Sequence, residues 1–244
     1  MSPTDGRRPG LVWYDHPEPA RPPERLSRAR VVQAAMTLAD QEPSGEITMR
    51  ALAGHLGARS PMALYRHVPN KEGLDDLMVD EAYGLMAVPT GGGWRAALHG
   101  LGSSGWEVMQ RHPWAARLAY RRPPIGPHAV RLFDAALGEL DPLGLDASTR
   151  MGFVETVLGH VLGAGLALLE ERGMRARAGH ATDADLDRAV APYLARIVAS
   201  GEYPHFARWV ADPRRHDPKP QTFEQILQWI LDGLETLSRT GAGG

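Results

Sequence analysis

The sequence predicts an all-α chain, in which a small N-terminal head of three helices, carrying a helix-turn-helix, precedes a larger helical body. Three observations predict it. Apolar residues recur at helical spacing in segment after segment, as at Val31, Ala34, Ala35 and Leu38. No segment sustains the two-residue alternation with β-branched side chains that marks a strand. Capping residues and Pro or Gly breakers stand where such helices begin and end.

The chain of 244 residues has room for a small unit and a larger one, with a substantial core. Its 43% hydrophobic and 23% charged content is that of an ordinary globular protein. The absence of cysteine excludes a disulfide framework, a thiol sensor and Cys-ligated zinc, and suits a reducing cytoplasm. The first ten residues lack the apolar region of a signal peptide. The longest apolar stretch, Val154 to Leu169, contains Glu155, His160 and three glycines, and reads as too short and interrupted to cross a bilayer. The expectation is a cytoplasmic protein with no membrane partner, metal or cofactor. Residues 1–71 hold 10 basic and 7 acidic residues, a net of +3; residues 72–244 hold 17 and 22, a net of −5. A basic front on an acidic rear suits a head that approaches a polyanion on a body that avoids one.

Residues 1–25 carry Pro9, Pro17, Pro19, Pro22 and Pro23 around the apolar island Leu11 to Tyr14, which predicts an extended arm. Ser27 caps a first helix ending near Gln41, before Pro43 and Gly45. Thr48 caps a second, with Met49, Leu52, Ala53 and Leu56 inward, which Gly57 ends. A third opens at Ser60-Pro61, where the missing proline N–H costs nothing, and runs to His67. A fourth spans Asn70 to about Met86, with Leu74, Leu77, Met78 and Ala82 on one face. After the breaker Pro89-Thr90-Gly91-Gly92-Gly93 come helices over Trp94–Arg111, Pro113–Ala119, Pro127 or His128 to Leu140, Asp146–Arg172 and Asp183–Ala199. In the helix ending at Leu140, Val130, Phe133, Ala136 and Leu137 are expected inward. Tyr203 to Pro220 reads as irregular, and Thr222–Leu237 as the last helix.

Two of these helices carry more than packing. In Thr222–Leu237, residues Phe223, Ile226, Leu227, Ile230, Leu231 and Leu234 form a wide apolar face that Trp229 and Leu237 extend. Asp146–Arg172 is apolar nearly all round, with Gly159 and Gly163 four apart. Such a helix must be covered on every side. It is either a central core helix or, together with the last helix, half of a four-helix seam between two copies.

The head has the composition of a reader of the DNA major groove. A recognition helix needs short side chains at its start, and Pro61, Met62 and Ala63 supply them. Met62 and Ala63 suit a thymine methyl, and Ser60 suits a base edge or phosphate. Tyr65, Arg66 and His67 lie one turn on, placed for phosphates or further bases. Lys71 opens the next helix, where its ammonium adds to the helix N-terminus in attracting a phosphate. Thr48 and Arg50 start the helix that would cross the backbone. Each residue also has a plainer role, as core packing for Tyr65 or as a solvated charge for Arg66, His67 and Lys71. A helical interaction protein whose head leaves DNA alone is the alternative. An enzyme is the least favoured class, because no H-E-x-x-H, G-x-S-x-G or P-loop pattern appears.

The runs Ala51-Leu52-Ala53, Leu56-Gly57, Leu64-Tyr65-Arg66-His67-Val68 and Asn70-Lys71 resemble the head of TetR-family transcriptional regulators. Arg111–Trp114, Arg122–Pro124 and Leu158–His160 resemble the C-terminal domain of the tetracycline-repressor branch. One departure stands out: seven residues separate Gly57 from Tyr65, where the family usually has six. The resemblance implies an arm over 1–25, a DNA-binding domain over 26–72, and a ligand-binding and dimerisation domain over 73–244. It implies a homodimer joined through helices 146–172 and 222–237. Its partners would be double-stranded DNA with a palindromic operator and a small hydrophobic effector. Pocket-lining expectations are Trp94, Leu98, Leu101, Trp106, Met109, His112, Trp114, Leu118, Phe133, Leu137, Val154, Leu158, Val161 and Leu162. Of the groups that hold tetracycline and magnesium in relatives, only His112 falls at a matching position, with Ala87 and Leu168 near two others. A tetracycline–magnesium complex is therefore not expected.

Overall fold

The computed structural model describes residues 26–42, 44–178, 183–212 and 222–241. The expected arm, 1–25, lies outside the described residues. Among those described, helices and no strands are found: α1 (Arg28–Gln41), α2 (Met49–His55), a 3-10 segment (Pro61–Arg66), α3 (Lys71–Gly84), α4 (Trp94–Arg111), α5 (Trp114–Arg121), α6 (Pro127–Leu140), α7 (Ala147–Ala178), α8 (Asp183–Ser200), α9 (Pro204–Ala211) and α10 (Phe223–Gly241). A further short 3-10 turn, Asp141–Leu143, follows α6.

Local chemistry sets most boundaries. Ser27, Thr48 and Asn70 each accept a hydrogen bond from a first-turn N–H, of Arg30, Ala51 and Gly73 respectively. Gly57 ends α2 with φ +64°. Its N–H donates to Gly54 O and that of Ala58 to Ala53 O, the paired bonds of a Schellman turn. Thr222 and Gln225 form a reciprocal capping box ahead of α10.

Four expectations need correction. The third helix is a 3-10 turn rather than an α-helix, because its few residues between extended Ser60 and Pro69 leave little room for i→i−4 bonds. Residues 204–211 of the segment expected to be irregular are helical, with Pro204 in the first turn. Val130 is exposed, since α6 turns Ala129, Leu132, Ala136 and Leu140 inward instead. Finally, α7 runs past Arg172; its stretch Ala147–Arg177, 31 residues with a mean hydropathy of 1.6, is long and apolar enough to cross a membrane. In the structure it packs against α4, α5, α6 and α10, and buries Phe153, Val154, Val157, Leu158, Val161 and Leu169.

A single apolar cluster runs from Val31 and Leu52 in the head, through Leu74 and Met78 of α3, to Leu101, Val161 and Leu231 in the body. Helices α4 and α7 approach closely at glycines. A Cβ on Gly105 would lie 3.0 Å from Val161, and one on Gly165 would lie 2.7 Å from Met109. The pair α8–α9 packs mainly on itself.

Candidate nucleic-acid interface and its connection to the body

The 3-10 segment sorts its side chains by threes, because residues i and i+3 eclipse in that geometry. Leu64 is fully buried and Val68 nearly so, and the pair anchors the segment against α1 and α2. Met62 (68% exposed) and Tyr65 (38%) share the outer face. Ser60 and Arg66 are also exposed, while Pro61, Ala63 and His67 are half-buried. Thr48 and Arg50 are exposed at the start of α2. Arg28 of α1 donates from Nε to His67 O at 3.2 Å, which ties the end of the segment to the first helix. Ser60, at the start of the segment, is extended (φ −161°, ψ 161°). A concave groove of about 560 Å³ runs beside the segment; Arg30, Arg59 and Arg66 line it with Ser60, Met62 and Ala63, and no carboxylate joins them. Lys71 sits differently. Its ammonium pairs with Asp75 one turn on, at the mouth of a cleft between head and body floored by Met78, Trp114 and Leu118.

Four clamps tie the head and the connecting helix α3 to the body. Asp40 Oδ1, near the end of α1, lies 2.8 Å from His112 Nδ1 and accepts from Trp114 Nε1 at 2.6 Å. Arg117 donates to Ser44 O at 2.8 Å and pairs with Glu170 of α7. Between them Gly45, at φ +66°, lies against Trp114, where an added Cβ would come within 2.6 Å of the Trp114 Cβ. On the connecting helix α3, Asp76 takes a two-pronged bond from Arg122, at 2.5 and 2.8 Å. The hydrogen bond from Arg122 is the largest influence on the Asp76 carboxyl; together with the guanidinium charge it outweighs the opposing effect of burial and holds the carboxyl below the usual carboxylate range. One turn on, Asp80 Oδ1 accepts from the backbone N–H groups of His128 and Ala129, at 2.9 and 3.1 Å. A side chain of the connector thus caps the first turn of α6.

The expected pocket residues fall into three groups. Leu98, Leu101, Met109, Trp114, Val154, Leu158 and Val161 are buried in the core. His112 is buried too, with Nδ1 engaged by Asp40. Trp94, Trp106, Leu118, Phe133, Leu137 and Leu162 are half-buried. Phe133 and Leu137 line an open groove of about 460 Å³ between α6 and α7, with Pro124, Ile125, Val130 and Met151.

Residues 88–238 match the family described as tetracyclin repressor-like, C-terminal domain. The chain is 36% identical, over 93% of its length and 84% of the relative's, to the HTH-type transcriptional repressor DrrR1 of Streptomyces coeruleorubidus. The chain belongs to the TetR family of transcriptional regulators. It is 31% identical to an HTH-type transcriptional regulator of Saccharopolyspora erythraea, over 64% of this chain and 66% of that one. Its fold is that of ActR from Streptomyces coelicolor, solved in complex with actinorhodin, with a TM-score of 0.67, 22% identity, and coverage of 90% of this chain and 100% of that one.

TetR-family chains are DNA-binding transcriptional regulators of the helix-turn-helix type. Sequence reasoning missed the clamps of this TetR-family chain. Asp76 and Asp80 are four apart on α3, which in sequence reads only as a solvated face. Their partners, Arg122 and the start of α6, are 46 and 48 residues away. The one available signal is that Arg122 belongs to the Arg-Pro-Pro run already carrying the family resemblance.

Proposed function

We propose that the protein is a homodimeric repressor whose two heads read a palindromic operator and which a small hydrophobic effector releases. The observation that carries the DNA reading is the outward face of Met62 and Tyr65, set on buried Leu64 and flanked by Arg30, Arg59 and Arg66. In this reading Ser60, Pro61, Met62 and Ala63 meet base edges, while Tyr65, Arg66 and His67 meet phosphates or further bases. Thr48 and Arg50 meet the backbone beside them. Lys71 joins by exchanging Asp75 for a phosphate. The division is that expected from sequence, a DNA-binding domain over 26–72 and a ligand-binding and dimerisation domain over 73–244, and the place of work is the cytoplasm.

An open stripe on each of two helices supports the dimer. On α7, Thr156, Gly159, Gly163 and Ala167 are exposed, and a Cβ on either glycine meets nothing within 4 Å. On α10, Trp229 (57% exposed), Gly233 and Leu237 (58%) follow one another at four-residue steps. Two such pairs close into a four-helix seam. The effector enters the body through the groove that Phe133 and Leu137 line. Spreading α6 from α7 moves the capped start of α6 and Arg122, and with them Asp80 and Asp76 on α3, which changes the separation of the heads. A preference of about 3 kcal/mol between the two arrangements releases DNA roughly a hundredfold.

Fluorescence anisotropy of the protein on its own upstream DNA tests the reading. A reader gripping several phosphates per head loses about a thousandfold or more in affinity between 50 and 200 mM salt. Binding that ignores salt contradicts a phosphate-gripping head.

A further inference from the structure

One group of aromatic side chains in the body is unlike the others. Phe223, the first residue of α10, lies between Trp106 of α4 and His160 of α7. Its ring centroid is 4.8 Å from the indole at an interplanar angle of 10°, and 4.3 Å from the imidazole at 12°. The remaining ring pairs among the described residues meet at 34° or more. A ring stacked near-parallel on two others occupies a space one ring thick, which another flat ring fits when Phe223 leaves it.

The walls of this slot are set by a tight helix contact, and its occupant is a single side chain at the start of a helix. Trp106 and His160 are sequence neighbours of Gly105 and Val161, whose tight contact fixes the spacing of α4 and α7 at this level. Phe223 leaves by rotating its own side chain at the end of a helix. The helix stays anchored by Leu227 and Leu231, both fully buried one and two turns on. All three rings are half-buried, so the slot is reached from the surface. His160 Nε2 lies 3.1 Å from Phe223 O and donates to it in the matching tautomer, a bond that the imidazole can redirect to an incoming oxygen.

We propose that Phe223 plugs an aromatic subsite between Trp106 and His160, which admits a planar aromatic effector bearing a carbonyl or hydroxyl oxygen for His160. The proposal rests on the reading of the body as an effector-binding domain and names the class of molecule it takes. Binding there turns the Phe223 side chain out at the start of α10, one of the two helices of the proposed seam. The plug and the effector compete, so the apparent affinity is reduced by the fraction of molecules whose slot is open.

The test is calorimetric titration of the full chain with 2-naphthol and with its saturated, non-planar counterpart 2-decalol. With an open fraction of about 10% or below, Phe223→Ala binds 2-naphthol about tenfold or more tightly than the unsubstituted protein, and 2-decalol no more tightly. Phe223→Leu, which keeps apolar volume and guards against a fold made too weak, gains in the same direction. His160→Ala added to either variant removes the gain. The proposal is overturned if neither variant gains, if 2-decalol gains equally, or if His160→Ala leaves the gain intact. Any of these leaves the broader effector reading standing. That reading fails separately, if no hydrophobic compound loosens the unsubstituted protein from DNA.

Discussion

Tyr65 and Asp76 show how single side chains divide the work. Tyr65 projects from the outer face of the 3-10 segment while its neighbour Leu64 is fully buried, so truncating Tyr65 removes a contact without opening the core. Tyr65→Ala is expected to weaken binding to all DNA sequences alike, by about 1–3 kcal/mol at fixed salt, as loss of a backbone-positioning contact should. A changed base preference with unchanged overall affinity would refute that assignment. Asp76 acts on stability. Its folded carboxyl titrates below the unfolded one because of Arg122. The pair's contribution is therefore fully present above about pH 4, the ordinary aspartate value, and is lost as pH falls through the depressed folded value. The side chain is half exposed, so the contribution is small. Thermal unfolding of the protein and of Asp76→Asn should differ at pH 7, and the gap should shrink as pH falls below the ordinary aspartate value; a gap that stays constant into acid would show that the pair does not titrate in this way.

At the scale of elements, what is local in the chain is legible and what is distant is not. Ser27, Thr48, Asn70 and Gly57 act on groups within a few residues, and their identities announce helix ends wherever they occur. The rotation of α6 about its own axis is different. Periodicity alone favours Val130 and Phe133 as the inward face, yet Ala129 and Leu132 are the ones buried. Asp80, 48 and 49 residues earlier, grips the N–H groups of His128 and Ala129 and sets the turn at which the helix begins. Gly126 permits the approach, since a Cβ there would lie 2.3 Å from the Asp80 carboxyl carbon. Asp80→Ala should cost about 1 kcal/mol and lower the melting temperature by about 2–4 °C, with Asp80→Asn recovering most of it through its remaining acceptor oxygen. An unchanged melting temperature in Asp80→Ala would mean that this cap adds nothing. Leu98, Leu101, Val154 and Val161 have the composition of a pocket wall and of a core alike, and they are buried.

At the scale of the molecule, one apolar cluster joins head and body, and the contacts of Asp40, Arg117, Asp76 and Asp80 tie the head and α3 to the body. Trp229 and Leu237 on α10 face outward beside the open glycine stripe of α7. Trp229→Asp should convert the dimer to monomers at micromolar concentration in light scattering, and should reduce operator affinity far more than the affinity for a half-site. A dimer that survives the substitution would place the seam elsewhere. The reading of the family, the head and the helical order rests on short runs such as Leu64 to Lys71, whereas the seam rests on surfaces whose partner is not part of one chain.

Selection of bound sequences from random DNA, followed by footprinting, tests the central claim most directly. Two heads on a two-fold axis predict an inverted repeat whose half-sites lie one helical turn, about 34 Å, or a multiple of it apart, with protection on one face of the duplex. Recovery of single unpaired half-sites, or of no preferred sequence at all, would contradict it.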